Sequence, residues 1–253
     1  MIASERRRFI LAALSHRGVI SLKDVTRELG VAEITVRRDL EKLEGEGKLK
    51  RVQGGAMSPE DEPEGAELTM AKKMPENMRE KQQLAQYAAG LVSPGDCVFI
   101  DGGTTMLPLA VLLCARAVTI VTYSTMLLPR VAKPTAKIIL IGGEYLPHYN
   151  MNLGSMAQDM LRQFHFDRAF FGCAGIDADQ QVVYTTEHES MAMKRIAMEN
   201  TAESHLLVDS SKFRKHGFLK LCGTAGFTSI ITDDIPDGVA APENVINLKN
   251  EAQ

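Results

Sequence analysis

Residues 21–55 read SLKDVTRELGVAEITVRRDLEKLEGEGKLKRVQGG. Leu22, Val25 and Leu29 recur at helical spacing, and Gly30 supplies the permissive backbone that a sharp turn requires. Ser21 followed by Asp24 predicts a hydroxyl and a carboxylate that satisfy free amides at the start of this helix. Beyond the turn, Val36, Leu40 and Leu43 give a second helix one buried stripe. At about 100° per residue, Arg38 lies opposite that stripe, with Ile34 and Glu41 beside it and Arg37 on the flank. An isoleucine among exposed charges has no stabilising role there, but it suits a thymine methyl. Gly45 and Gly47 end the helix, and LKRVQGG at 49–55 reads as a basic hairpin. Arg6, Arg7 and Arg8 precede Phe9, Ile10, Ala13 and Leu14, which predict a supporting first helix. Two short helices around a tight turn, followed by a hairpin, outline a winged helix-turn-helix that reads duplex DNA.

Charge separates this reading from a merely solvated helical domain. Residues 1–57 carry twelve Lys and Arg against eight Asp and Glu, whereas the remainder carries seventeen against twenty-four. The overall charge of −3 thus conceals a basic end and an acidic bulk. Phosphate contact requires the first, and DNA repels the second. Winged helices also serve as protein-interaction modules, which remains the alternative use of this segment.

At 253 residues the chain accommodates two domains. Ser58 to Leu68 interleaves Glu60, Asp61, Glu62, Glu64 and Glu67 with Pro59, Pro63 and Gly65, and reads as an acidic linker. The expected division is 1–57 reader, 58–74 linker and 75–253 sensor. No apolar run approaches the ~20 residues that cross a bilayer, and the N-terminus lacks a continuous apolar signal core. Cys97, Cys114, Cys173 and Cys222 are scattered, as reduced thiols are, which implies the cytoplasm. No metal site and no cofactor are expected.

From Glu76 the text alternates helices with short apolar runs: Cys97–Ile100, Val118–Val121, Lys137–Ile141, Ala169–Phe171, Leu206–Val208 and Ser229–Thr232. Such alternation predicts an α/β domain around a mostly parallel sheet. These runs are followed by polar loops, and in open α/β sheets ligands bind outside the carboxyl ends of the strands. Asp101-Gly102-Gly103-Thr104-Thr105 follows the first run and precedes a helix. Its bare glycines, hydroxyls and helix start predict a phosphate cradle, although such turns also serve tight packing alone. Lys194 and Lys212 are candidate cations for the phosphate, and Asp101, Asp177 and Glu189 are candidate acceptors for sugar hydroxyls.

Taken together, the residues resemble the DeoR-type bacterial transcriptional regulators along almost the full length. The reader matches through Thr35-Val36-Arg37-Arg38-Asp39-Leu40, Leu43-Glu44, Gly47, Leu49, Arg51-Val52 and Gly54-Gly55-Ala56. The sensor matches through Asp101 to Thr105, Gly142-Gly143-Glu144, Gly172 to Asp177 and Asp209-Ser210-Ser211-Lys212-Phe213. The resemblance implies a repressor of a sugar catabolic operon, released by a phosphorylated sugar. It implies a sensor fold similar to ribose-phosphate isomerases and CoA transferases, and a homodimer or homotetramer on a palindromic operator. It places Thr35, Arg37, Arg38 and Arg51 on DNA. It places Asp101, Gly103, Thr104, Thr105, Gly143, Asp177, Glu189, Lys194 and Lys212 around the effector. Three positions depart from the family pattern: Gln53 stands for a common histidine, Tyr123 for a common asparagine, and Gln180-Gln181 for a common glycine.

The competing reading is an isomerase-like sugar-phosphate enzyme fused to a DNA-binding module, with Asp101, Asp177 or Glu189 as general base. No nucleophile–base–orienter set is visible in the sequence, which favours a non-enzyme. Activation and repression are not separated by the sequence.

Overall fold

A computed structural model describes residues 2–17, 19–52, 54–57, 70, 73–147 and 149–251. Gln53, His148 and the acidic stretch 58–68 lie outside the described residues. The N-terminal unit consists of α1 (Ala3–Arg17), β1 (Val19–Ser21), α2 (Leu22–Leu29), α3 (Glu33–Gly45), β2 (Lys50–Val52) and β3 (Gly55–Met57). The strands form an antiparallel sheet in the order β1-β3-β2, so a winged helix-turn-helix is present. Val36, Leu40 and Leu43 are buried with Ile10, Leu14 and Val25 in one cluster, as the helical spacing requires. Full burial of such aliphatic side chains stabilises by about 1.5–3 kcal/mol each.

The start of α2 departs from expectation. Ser21 makes no side-chain cap, and Asp24 pairs with Arg27 at 2.7 Å instead. Tertiary pairing replaces the local cap: Leu22 N–H donates to the Gly54 carbonyl at 2.8 Å. Gly30 closes the helix in the left-handed region at φ 63°.

The larger unit begins with α4 (Met78–Leu91) and is built around seven strands in the order β15-β14-β12-β9-β4-β5-β6. These are β4 (Cys97–Ile100), β5 (Thr119–Thr122), β6 (Lys137–Leu140), β9 (Phe166–Phe171), β12 (Thr201–Val208), β14 (Ser229–Thr232) and β15 (Val245–Asn247). Every pairing in this sheet is parallel. Side chains alternate between its faces, as extended backbone dictates. Phe99, Val121, Phe171, Leu206 and Ile230 enter one cluster, whereas Val98, Ile100, Ile120, Phe170 and Leu207 enter the other. α4 and α5 (Met106–Leu113) cover the second face, and α6 (Ser155–Leu161) and α7 (His188–Glu199) cover the first. Burial on both faces explains why these strands read as continuous apolar runs.

Two additions lie outside that sheet. β7 (Glu144–Leu146) and β8 (Met151–Leu153) form a hairpin. β10 (Gly175–Asp177), β11 (Val182–Thr185) and β13 (Leu219–Gly223) form a small antiparallel sheet. The segment after Ser124, expected as a helix, is a 3-10 turn over Thr125–Arg130 that contains Pro129. A short helix, α8 (Leu248–Glu251), ends the described chain.

Candidate functional sites

On the reader, the face of α3 opposite the buried stripe points outward. Ile34 is 58% exposed, Arg37 and Arg38 are exposed, and Thr35 is half-buried. Arg37 forks onto Glu33 one turn earlier, with its closer nitrogen at 2.7 Å. Arg51, on the wing, reaches across to Glu41 at 3.0 Å, while its own N–H donates to the Glu44 carboxylate at 2.8 Å. The wing is thereby fixed against the helix. Asp39 is buried, and Arg6 donates to it at 2.7 Å, locking α3 onto α1. Gly55 has a packing reason: a Cβ there would lie 2.0 Å from the Ile20 carbonyl oxygen.

In the sensor, the loops after β4, β12 and β14 converge at one end of the sheet, where α/β folds place ligands. The Asp101 side chain points inward. It is 1% exposed, and its oxygens accept from the Tyr123 hydroxyl, Lys194 Nζ and Gly172 N–H, the last at 2.9 Å. Lys194 also donates to the Gly172 carbonyl at 2.9 Å. Asp101 and Lys194 thus form a buried pair that ties the end of β4 to that of β9 and to α7. Burial, followed by the Asp101 charge, pushes the Tyr123 phenol well above its ordinary value, so the ring stays a neutral donor.

The Gly102–Thr105 turn divides between packing and access. A Cβ on Gly102 would strike Met151 and Tyr123, whereas Gly103 faces open space. Thr105 caps α5 without a side-chain bond and is half-buried. Thr104 is buried, and its Oγ1 accepts from Lys81 Nζ at 3.2 Å. Lys81 is only 3% exposed, and its second bond goes to the Lys73 carbonyl at 2.6 Å. Burial pushes its pKa down, and the Asp209 charge opposes that shift. Lys212 lies close enough to lower it further.

Asp209 completes this corner. Its Oδ1 accepts from Asn77 Nδ2 at 2.8 Å and from Ser211, yet its buried Oδ2 has no hydrogen-bond partner among the described residues. A buried carboxylate oxygen left unpaired is costly, and a site that expects a donor from a ligand carries such a cost. Cys173 feels Lys212, Lys194, Asp209 and Asp101 together, but burial pushes its thiol up to about 12, which leaves it unreactive.

The remaining sequence-predicted positions are placed apart from this corner or turned outward. Gly143 has φ 142°, and a Cβ would lie 2.5 Å from the Leu153 carbonyl oxygen, so it permits the close approach of β8. Asp177 accepts from Gln180 N–H at 2.9 Å and pairs with His216 Nε2 at 2.9 Å. It lines a separate open recess, shared with Asp179 and Arg214. Glu189 is exposed in the first turn of α7.

Lys81 and Asn77 escaped the sequence reading, and Asp209 entered it only as part of a motif. Lys81 had a signal: it stands at the head of a stripe continued by Leu84, Ala85 and Ala88, all buried. A lysine on the apolar face of a helix needs a buried partner.

A profile described as DeoR-like helix-turn-helix domain matches residues 6–62, and one described as DeoR C terminal sensor domain matches residues 76–234. A lactose phosphotransferase system repressor of Streptococcus mutans is 31% identical over 236 residues, covering 92% of this chain and 93% of its own. Its namesake in Lactococcus lactis is 32% identical over 229 residues, covering 89% of each chain. The HTH-type transcriptional regulator YgbI of Escherichia coli is 30% identical over 239 residues, covering 92% of this chain and 91% of its own. Among solved structures, ribose 5-phosphate isomerase A of Methanocaldococcus jannaschii aligns over 54% of this chain and 55% of its own, with 17% identity and a TM-score of 0.41. The sorbitol operon regulator SorC of Klebsiella pneumoniae aligns over 82% and 90%, with 15% identity and a TM-score of 0.34.

Proposed function

The chain belongs to the DeoR family of helix-turn-helix transcriptional regulators, and from that premise we propose a repressor of a carbohydrate operon whose grip on DNA is relieved by a phosphorylated sugar. One observation supports the effector: the buried Lys81 ammonium bonds Thr104 and feels the Lys212 charge, next to an Asp209 oxygen that lacks a donor among the described residues. Two cations and a hydroxyl suit a phosphate, and the unpaired carboxylate oxygen suits a sugar hydroxyl. Gly103 gives the anion access to backbone. Relatives named as repressors of a phosphotransferase system favour a phosphorylated ligand over a free sugar.

In this reading Asp101 and Lys194 support the pocket from beneath, and Thr35, Arg37, Arg38, Ile34 and Arg51 face the operator. The protein acts in the cytoplasm as a homodimer or homotetramer, which matches a palindromic site. It binds and does not turn over its ligand: the carboxylate nearest the turn, Asp101, is already engaged by three donors. No cofactor is required.

A thermal-shift panel of glucose 6-phosphate, galactose 6-phosphate, fructose 1-phosphate, inorganic phosphate and the free sugars tests the proposal. A ligand at one hundred times its Kd stabilises by about 2.7 kcal/mol. Lys81→Met and Lys212→Ala should each abolish that gain. Stabilisation by free sugars alone, or ligand turnover by the purified protein, would overturn it.

A further inference from the structure

The stretch that enters the sensor is tied down by the same groups that face the pocket. Met70 packs against both hydrophobic clusters, and Met74 N–H donates to its carbonyl at 3.0 Å. The Lys73 carbonyl accepts from Lys81 at 2.6 Å. Asn77 holds left-handed backbone at φ 49°, unusual for a residue other than glycine. From that position its Nδ2 donates to Asp209 Oδ1 at 2.8 Å and to Ser211 Oγ at 3.1 Å. Met70 and residues 73–77 thus act as a strap, held at Lys73 by Lys81 and at Asn77 by Asp209 and Ser211.

We propose that this strap is the element through which the pocket controls the reader: an oxyanion arriving at Lys81 draws the ammonium off the Lys73 carbonyl, and the strap loosens. The inference rests on the anion site proposed above. The exchange favours the anion because an ionised acceptor makes a hydrogen bond roughly twice as strong as a neutral one. Burial of Lys81 sharpens the preference, since a desolvated ammonium gains most from a full opposite charge. In sequence the strap lies between the acidic stretch after the wing and the rest of the sensor, so any signal passed along the chain from sensor to reader runs through it. By linkage, whatever loosens the strap also tightens effector binding.

Hydrogen exchange of the full-length protein, read at the amides of residues 73–77, tests this alongside operator affinity. Any phosphate compound that raises the melting temperature should accelerate those amides about tenfold. Binding with unchanged or slowed exchange would overturn the strap while leaving the pocket intact. Asn77→Gly retains the left-handed backbone and deletes both side-chain bonds. Without ligand it should accelerate the same amides and weaken operator binding by roughly threefold or more. Asn77→Asp, which sets a carboxylate against Asp209, should do so more strongly. If no compound binds, these variants decide the matter: unchanged exchange, or faster exchange with operator affinity unchanged or tightened, overturns the inference.

Discussion

The Asp39 carboxylate of α3 accepts a 2.7 Å hydrogen bond from Arg6 Nε of α1, and only 8% of the Asp39 side chain and 14% of the Arg6 side chain remain exposed. Arg7 lies 3.9 Å from the other carboxylate oxygen. The position of α3 is therefore set by charge as well as by its apolar stripe. Asp39→Ala should lower reader stability by about 2 kcal/mol, the scale of a hydrogen bond to a charged group, because both guanidiniums lose their shared partner. Chemical denaturation followed by circular dichroism would read the change.

Arg38 is exposed on α3, opposite the buried stripe. If it reaches a base edge, Arg38→Ala should cost on the order of 1–3 kcal/mol of operator affinity and relax the preference at one base pair. An undiminished affinity in a gel-shift or anisotropy titration would mean that the helix presents another face to the groove.

The Tyr123 hydroxyl fills a valence of the buried Asp101. Tyr123→Phe should cost about 1–3 kcal/mol by leaving that oxygen unsatisfied. Tyr123→Asn should cost more, since it also opens a cavity beside Phe99. Thermal unfolding of the two variants would rank them.

Stability should fall on acidification through His205. Its Nδ1 meets Ser229 Oγ at 2.8 Å, its ring stacks on Phe170, and Glu203 and Arg168 are the charged groups that face it. Burial holds its pKa below the ordinary imidazole value, an effect that Glu203 opposes. The unfolded chain consequently takes up its proton first as pH falls. The contribution is whole above the unfolded value of about 6.5 and is lost as pH descends from there toward the folded one. Urea midpoints measured across that window should decline, and His205→Gln should flatten the decline.

Gly55→Ala places a methyl against the Ile20 carbonyl oxygen, and backbone atoms cannot yield as a side chain would. The substitution should destabilise the reader by about 1–3 kcal/mol or more and abolish operator binding with it. Unaltered folding would show that β1 and β3 can separate freely.

The helix-turn-helix and the six apolar runs were legible because each is decided locally, by periods near 3.6 or by burial on both faces. The β10–β11–β13 sheet was not, because Val183 finds its partner in Cys222, far along the chain. The hairpin of β7 and β8 hid in strands of three residues each. For the proposed anion site, Thr104 and Lys212 were visible as types in a plausible loop. Sequence could not tell that Asp101 and Lys194 would consume each other, since that pairing depends on α7 crossing the end of β4. Lys81 was concealed by its helix, where a cation reads as surface until the facing layer is known.

The carboxylates of the reader have a bearing on how it searches a genome. Glu33 already answers Arg37 and Glu41 already answers Arg51, so two of the cations proposed to face DNA are partly neutralised within the protein. Exposed pairs of this kind are cheap to break, at about 0.2–1 kcal/mol each, yet every arbitrary phosphate must first displace a carboxylate. If these arginines meet the duplex, such a molecule should linger less on unrelated sequence, and its residence should favour sites whose base edges repay the exchange.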